Sequence, residues 1–153
     1  MNPEDKLAEL GLELPAPPKA MAAYVPTVRT GNFVFVAGQG PWLSGPGSSA
    51  TGKVPDEVGI EQAQEAARAC ALNGLAAIKA EVGSLQAIVR MVKLTVYVAS
   101  SPGFGDQPKV ANGASELLEQ VLGDAGKHAR AAVGVAELPF NIPVEVDFIA
   151  EVR

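Results

Sequence analysis

The sequence predicts an α+β fold, one sheet carrying two long helices on a single face. Three observations lead there. Short β-rich runs lie near both ends of the chain. Two stretches, Ile60 to Val82 and Pro108 to Leu122, repeat their apolar residues at helical spacing. Between them Val89 to Ala99 is a β-branched run. The order hairpin, helix, strand, helix, hairpin segregates helices to one face of a sheet. A length of 153 residues with 48% hydrophobic content suits one domain, 1–153, in which 1–22 form an N-terminal helix and a proline-rich arm.

The first element is a short helix. Asn2 is a good cap, Pro3 fits the first turn, Glu4 and Asp5 favour the positive end of the dipole, and Gly11 is a stop signal. Pro15, Pro17 and Pro18 make an extended arm that cannot enter a central strand. Tyr24 to Arg29 and Phe33 to Gly38 flank Thr30-Gly31-Asn32 and read as a hairpin. Gly40 to Gly59 is rich in Gly, Ser and Pro and reads as a loop with scope to move.

In the first long helix Ala63, Ala67, Cys70, Ala71, Gly74, Leu75, Ile78 and Val82 form the contact stripe, small enough for close approach to a sheet. Cys70 belongs to that stripe as a core residue rather than a nucleophile. The second helix shows Val110, Ala114, Leu117, Leu118 and Val121, ending at Gly123 and Gly126. Ala131 to Leu138 and Pro143 to Val152 read as a closing pair of strands joined through Pro139 to Ile142. Alternation puts Val92, Leu94, Val96 and Val98, with Val144, Val146 and Phe148, on the helix-covered face. Lys93, Thr95, Tyr97, Glu145, Asp147 and Ile149 fall on the other, which is either solvated or a polar subunit interface.

Composition narrows the partners. A net charge of −5, with 19% charged and 5% aromatic residues, opposes nucleic acid and anionic membrane. The lone Cys70 forms no internal disulfide and no cysteine-rich metal site, which fits a reducing cytoplasm. The start lacks the pattern of a secretory leader and no run is apolar for long enough to span a bilayer. Gly45 to Gly52 lacks the Lys-Ser/Thr ending of a phosphate loop.

The most distinctive stretch is His128-Ala129-Arg130-Ala131-Ala132-Val133-Gly134-Val135-Ala136-Glu137-Leu138-Pro139, followed by Pro143-Val144-Glu145-Val146. With Ala23-Tyr24-Val25, Gly38-Gln39 before Pro41, Ala71-Leu72-Asn73, Lys93 to Val98, and Asn112 in the second helix, it resembles the reactive intermediate deaminase (Rid, YjgF-type, endoribonuclease L-PSP-like) family. The resemblance runs from about Tyr24 to Val152. It implies a chorismate-mutase-like fold, a homotrimer with clefts between subunits, and cofactor-free, metal-free hydrolysis of small enamines or imines bearing a carboxylate, as by 2-iminobutanoate/2-iminopropanoate deaminases. It also implies that Arg130 binds the substrate carboxylate, that Tyr24 and Asn112 bind substrate or order the arginine, and that Glu145 orients Arg130 or a water.

The residue chemistry agrees for Arg130, whose planar guanidinium suits a bidentate grip on a carboxylate; the alternative is an arginine at a strand edge paired with an acid. A closing hairpin would set Ala136 opposite Glu145 and leave Arg130 roughly 20 Å further along. A site shared by the two would therefore need Glu145 from a neighbouring chain. Tyr24 and Asn112 have bland alternatives, a sheet-edge aromatic and a helix-capping amide. His128 is the only histidine. Two residues before Arg130 in extended chain, it shares that side and is either a general acid or base or a surface and capping residue. Trp42 covers a cleft or simply packs.

Two departures from the family pattern matter: Ala37 and Ala132 stand where many active members carry Ser and Cys. The leading expectation is a deaminase. The alternative is a protein that binds or senses small carboxylate metabolites without turnover. A ribonuclease reading, attached to some relatives, is opposed by the acidic charge and by the lack of an acid–base constellation.

Overall fold

Asn2 starts the first helix as its residue type predicts: its side-chain oxygen accepts from the Asp5 N–H at 2.8 Å, and α1 runs Pro3–Glu9. The computed structural model describes residues 2–19, 23–45 and 47–153; part of the expected arm, 20–22, lies outside them. Beyond Gly11, which takes a φ of 71°, the proline-rich segment leads towards β1 (Thr27–Thr30) and β2 (Phe33–Gln39). These form the expected hairpin, with Thr30 opposite Phe33 and Gly31 at a φ of 56°. Next come α2 (Ile60–Val82), β3 (Ile88–Ala99), α3 (Gln107–Leu122), β4 (Ala129–Val135) and β5 (Val144–Val152).

The sheet order is β1-β2-β5-β3-β4. This corrects the expected closing hairpin. β4 begins and ends earlier than Ala131 to Leu138, and it runs parallel to β3 at the sheet edge, joined to it through α3 as a β-α-β unit. β5 is inserted between β2 and β3, antiparallel to both. The physical reason is burial. Every second residue of β5 (Val144, Val146, Phe148, Ala150, Val152) is buried, so this row belongs under the helices at the sheet centre. β4, of small residues and valines apart from Arg130, is exposed or half-buried throughout and can occupy an edge. Between the two strands Phe140 and Asn141 take φ of 58° and 56°.

A second correction lies in β3. The pairing slips between Met91/Ala150 and Lys93/Ile149, so Met91 faces the core and Val92, expected there, is only half-buried. Leu94, Val96 and Val98 keep their places.

Glycine governs how closely the layers approach. A Cβ on Gly74 would overlap the Phe148 ring, so α2 seats directly on β5. A Cβ on Gly113 would overlap the Gln64 carbonyl, so α2 and α3 meet backbone to backbone, and Gln64 Nε2 donates to the Lys109 carbonyl at 2.9 Å across the same contact. Cys70 is fully buried beneath α2, and burial pushes its thiol well above the usual range. Among the described residues no helix covers the other sheet face, which is mixed: Phe33 and Phe35 are exposed opposite Glu151 and Ile149, and Glu145, Asp147 and Tyr97 lie further along it. Among the described residues no helix is long and apolar enough to cross a membrane.

Candidate functional site

Register places Arg130. It pairs with Leu94 in the parallel ladder, and Leu94 points at the helices, so Arg130 leaves β4 on the helix side and meets α3. There Asn112 and Ser115, three residues apart, share a helix face. Arg130 Nη1 donates to Asn112 Oδ1 at 2.8 Å and to Ser115 Oγ at 3.2 Å. Both hydrogens of Nη1 are thereby engaged. Among the described residues nothing accepts from Nε or Nη2, the edge of a guanidinium that matches the two oxygens of a carboxylate. The side chain is exposed, and its orientation is set by α3.

His128 joins the same group on the side its spacing predicts. Its Nδ1 lies 2.6 Å from the Gly126 carbonyl and its Nε2 2.9 Å from Ser115 Oγ. A carbonyl can only accept, so Nδ1 carries the hydrogen; in the neutral ring Nε2 then accepts from the Ser115 hydroxyl. Burial holds the imidazole below the usual histidine range and the Arg130 charge adds to this, while the Gly126 carbonyl opposes them. Ser115, Glu119, Gly126, Lys127, His128 and Arg130 line a cleft of about 230 Å³.

A second group lies elsewhere. Glu145 sits opposite Tyr97 on the uncovered face. Its carboxylate rests on Gly38, where a Cβ would come within 2.9 Å of the carboxyl carbon. Here the β2–β5 pairing is irregular between Val36 and Gln39. Burial raises the Glu145 carboxyl above its usual range, and Asp147 raises it further; Asp147 itself accepts from the Tyr97 hydroxyl at 2.8 Å. Tyr24, 56% exposed, lines a cavity of about 490 Å³ with Pro15, Pro18, Ala37, Gly38 and Trp42. Trp42 meets Phe140 edge to face at 5.1 Å, and Asn73 anchors the start of its loop by donating to the Gly40 and Trp42 carbonyls.

The fold therefore unites Arg130, Asn112 and His128 but sets Tyr24 and Glu145 apart from them. β4 and β2 are separated by β3 and β5, roughly 14 Å at ordinary strand spacing. Glu145 is two strands from Arg130 and points to the opposite face. The expectation that one chain keeps these two apart holds, but not for the reason given: sheet order separates them, not distance along a hairpin. Ser115 was missed by sequence reasoning; its spacing from Asn112 on a helix was the available signal. Ala37 lies in the irregular stretch of β2, and Ala132 packs against the core under α3. Among the described residues no group of three or more His, Cys, Asp or Glu side chains is arranged to hold a metal.

Fold and site together define an α+β protein with a mixed five-stranded sheet that presents a helix-clamped arginine at its parallel edge. The family described as Endoribonuclease L-PSP matches residues 15–152. The chain belongs to this family, which takes in the YjgF- and RutC-type proteins. Protein TCP17 of Trypanosoma cruzi is 44% identical over 148 residues, covering 96% of this chain and 92% of the relative. A 2-iminobutanoate/2-iminopropanoate deaminase of Dermatophagoides farinae is 27% identical over 142 residues, covering 93% and 95%. Among solved structures, the protein Atu1372 from Agrobacterium tumefaciens, of unknown function, superposes with a TM-score of 0.91 at 48% identity, over 99% of this chain and 93% of that one. Escherichia coli TdcF with bound serine superposes with a TM-score of 0.63 at 27% identity, over 92% and 95%.

Proposed function

We propose that this chain hydrolyses small imines or enamines bearing a carboxylate, releasing the oxo acid and ammonia without a metal or organic cofactor. The observation that carries this reading is the Arg130 geometry. α3 holds Nη1 through Asn112 and Ser115, and the Nε–Nη2 edge is left to grip a carboxylate. In this role Asn112 orients the arginine rather than touching the substrate. The deaminase among the relatives and the serine bound to TdcF, an amino acid carrying a carboxylate, support the same chemistry. Water attack on an iminium carbon is intrinsically easy, so fixing the acid beside a placed water supplies much of the catalysis.

The reading makes the site a shared one. Tyr24 and Glu145 lie across the sheet from Arg130, so they reach its substrate from a neighbouring subunit of a homotrimer. The uncovered face, with Phe33 and Phe35 exposed, supplies apolar area for such packing. Static light scattering should give about three times the 15.7 kDa chain mass, and a monomer at micromolar concentration would remove the shared site. A cytoplasmic location accords with a thiol, Cys70, that is buried and unpaired.

The direct test generates imines in situ with an amino-acid oxidase and traps them with semicarbazide. A deaminase competes with the trap, so the semicarbazone yield should fall as protein is added. Yields unchanged by stoichiometric protein, across several amino acids, would reject turnover. The specific feature favouring the alternative, a binding or sensing protein without turnover, is the pair Ala37 and Ala132, neither of which can hold a water.

A further inference from the structure

From the geometry around Arg130 we infer that Ser115 is the group that exchanges protons with the reacting water, its hydroxyl forming a relay to His128. The inference rests on the proposed deaminase reading and adds to it a residue and a step. Both ring nitrogens of His128 are engaged, Nδ1 by the Gly126 carbonyl and Nε2 by Ser115 Oγ. Any proton reaching the imidazole must therefore pass through Ser115. Ser115 Oγ in turn accepts from Arg130 Nη1, which places the hydroxyl beside the guanidinium that grips the acid. The sequence Ser115 O–H, His128 Nε2, His128 Nδ1–H, Gly126 carbonyl is the arrangement of a hydroxyl, a base and a group that fixes the base's tautomer.

Water oxygen attacks the iminium carbon and forms the C–O bond while the C=N π pair moves to nitrogen. The water loses a proton to Ser115 Oγ as Ser115 passes its own to His128 Nε2, leaving a neutral carbinolamine and an imidazolium. The imidazolium returns its proton through Ser115 to the amine nitrogen. The C–N bond then breaks, the hydroxyl oxygen's pair closes the carbonyl, and the leaving ammonia takes the hydroxyl proton to depart as ammonium. Iminium and water become oxo acid and ammonium, and the relay ends as it began.

Charged groups facing His128 are Arg130 on β4, Lys127 before it, and Glu119 on α3; Lys127 is paired to Glu119 at 3.9 Å and to Asp124 at 3.1 Å. The acids are thus taken up by the lysine. Arg130 disfavours the imidazolium and burial disfavours it more, so the base is neutral and ready at neutral pH.

The test compares wild type, Ser115→Ala, Ser115→Thr and His128→Ala in two assays: calorimetric binding of 2-oxobutanoate, and the pH dependence of kcat/KM for trapped-imine hydrolysis. In wild type the rate should fall with acid through a pKa below the ordinary histidine value. Ser115→Ala should lower kcat/KM roughly 100-fold and abolish that bend although the histidine remains, with the affinity for 2-oxobutanoate falling far less, because Asn112 still holds Arg130 Nη1. His128→Ala should give the same loss, and Ser115→Thr, which keeps the hydroxyl, should restore most of the rate and the bend. A wild-type profile and rate in Ser115→Ala would overturn the relay and leave the deaminase reading standing. Absence of any wild-type acceleration would overturn both. If Ser115→Ala fails to fold, a folded Ser115→Thr without rate or bend overturns the relay, and one with both supports it.

Discussion

Replacing Arg130 by alanine is expected to weaken binding of pyruvate-like and 2-oxobutanoate-like acids by roughly 30- to 150-fold while leaving the fold intact. The magnitude follows from losing a bidentate, charge-assisted pair, about 2–3 kcal/mol. The fold should survive because the side chain is exposed and its partners among the described residues are Asn112 Oδ1 and Ser115 Oγ on the surface of α3, which water can replace. Arg130→Lys should recover only part of the loss. An ammonium can satisfy Asn112 or meet the acid, but it has no second edge to do both in fixed geometry. Titration calorimetry on the three proteins measures this, with circular dichroism to check the fold. Equal affinity in wild type and Arg130→Ala would show that the acid is held elsewhere. The cavity beside Tyr24 and Gly38 would then be the place to look.

What the sequence disclosed followed the range of its signals. Both long helices read to within a residue of their observed ends because apolar repeats at 3.6 residues are local and each stripe faces one layer. Period-2 spacing likewise placed His128 and Arg130 on one side, and both meet Ser115. Strand partners were a different matter. The run from Val144 to Val152 pairs equally well in sequence terms with any neighbour, and the Pro139 to Ile142 connection looks like a hairpin loop. Its place between β2 and β3 is decided by competition among all five strands for the centre under α2, which no local window contains. That one choice also put Arg130 and Glu145 on opposite faces, a relation invisible to alternation within either strand. Met91 displaced Val92 for a similar reason, since a slip in pairing depends on the partner strand. Ser115 was overlooked because a single serine on a helix is unremarkable until the strand beside it is known.

The last expectation concerns Gly113, through which helix packing reaches the arginine. In an exposed helix, glycine to alanine would gain about 1 kcal/mol from propensity alone. Here the added methyl would meet the Gln64 carbonyl oxygen, a backbone atom that cannot swing away as a side-chain tip would, so α3 must lift from α2. Overpacking of this kind typically costs about 1–3 kcal/mol, and more where backbone must shift. The clash should outweigh the propensity gain, and a net loss of about 2 kcal/mol would lower Tm by roughly 4–8 °C in a chain of this size. Asn112 is the preceding residue, so lifting α3 also carries away the acceptor that holds Arg130 Nη1, and affinity for a small oxo acid should fall together with stability. Gly105→Ala is the control: nothing lies within 4 Å of its would-be Cβ, and its Tm should match wild type within about 2 °C. If Gly113→Ala melts at or above wild type with unchanged affinity, then α2 and α3 separate at little cost, and close helix contact is not what sets the arginine's position.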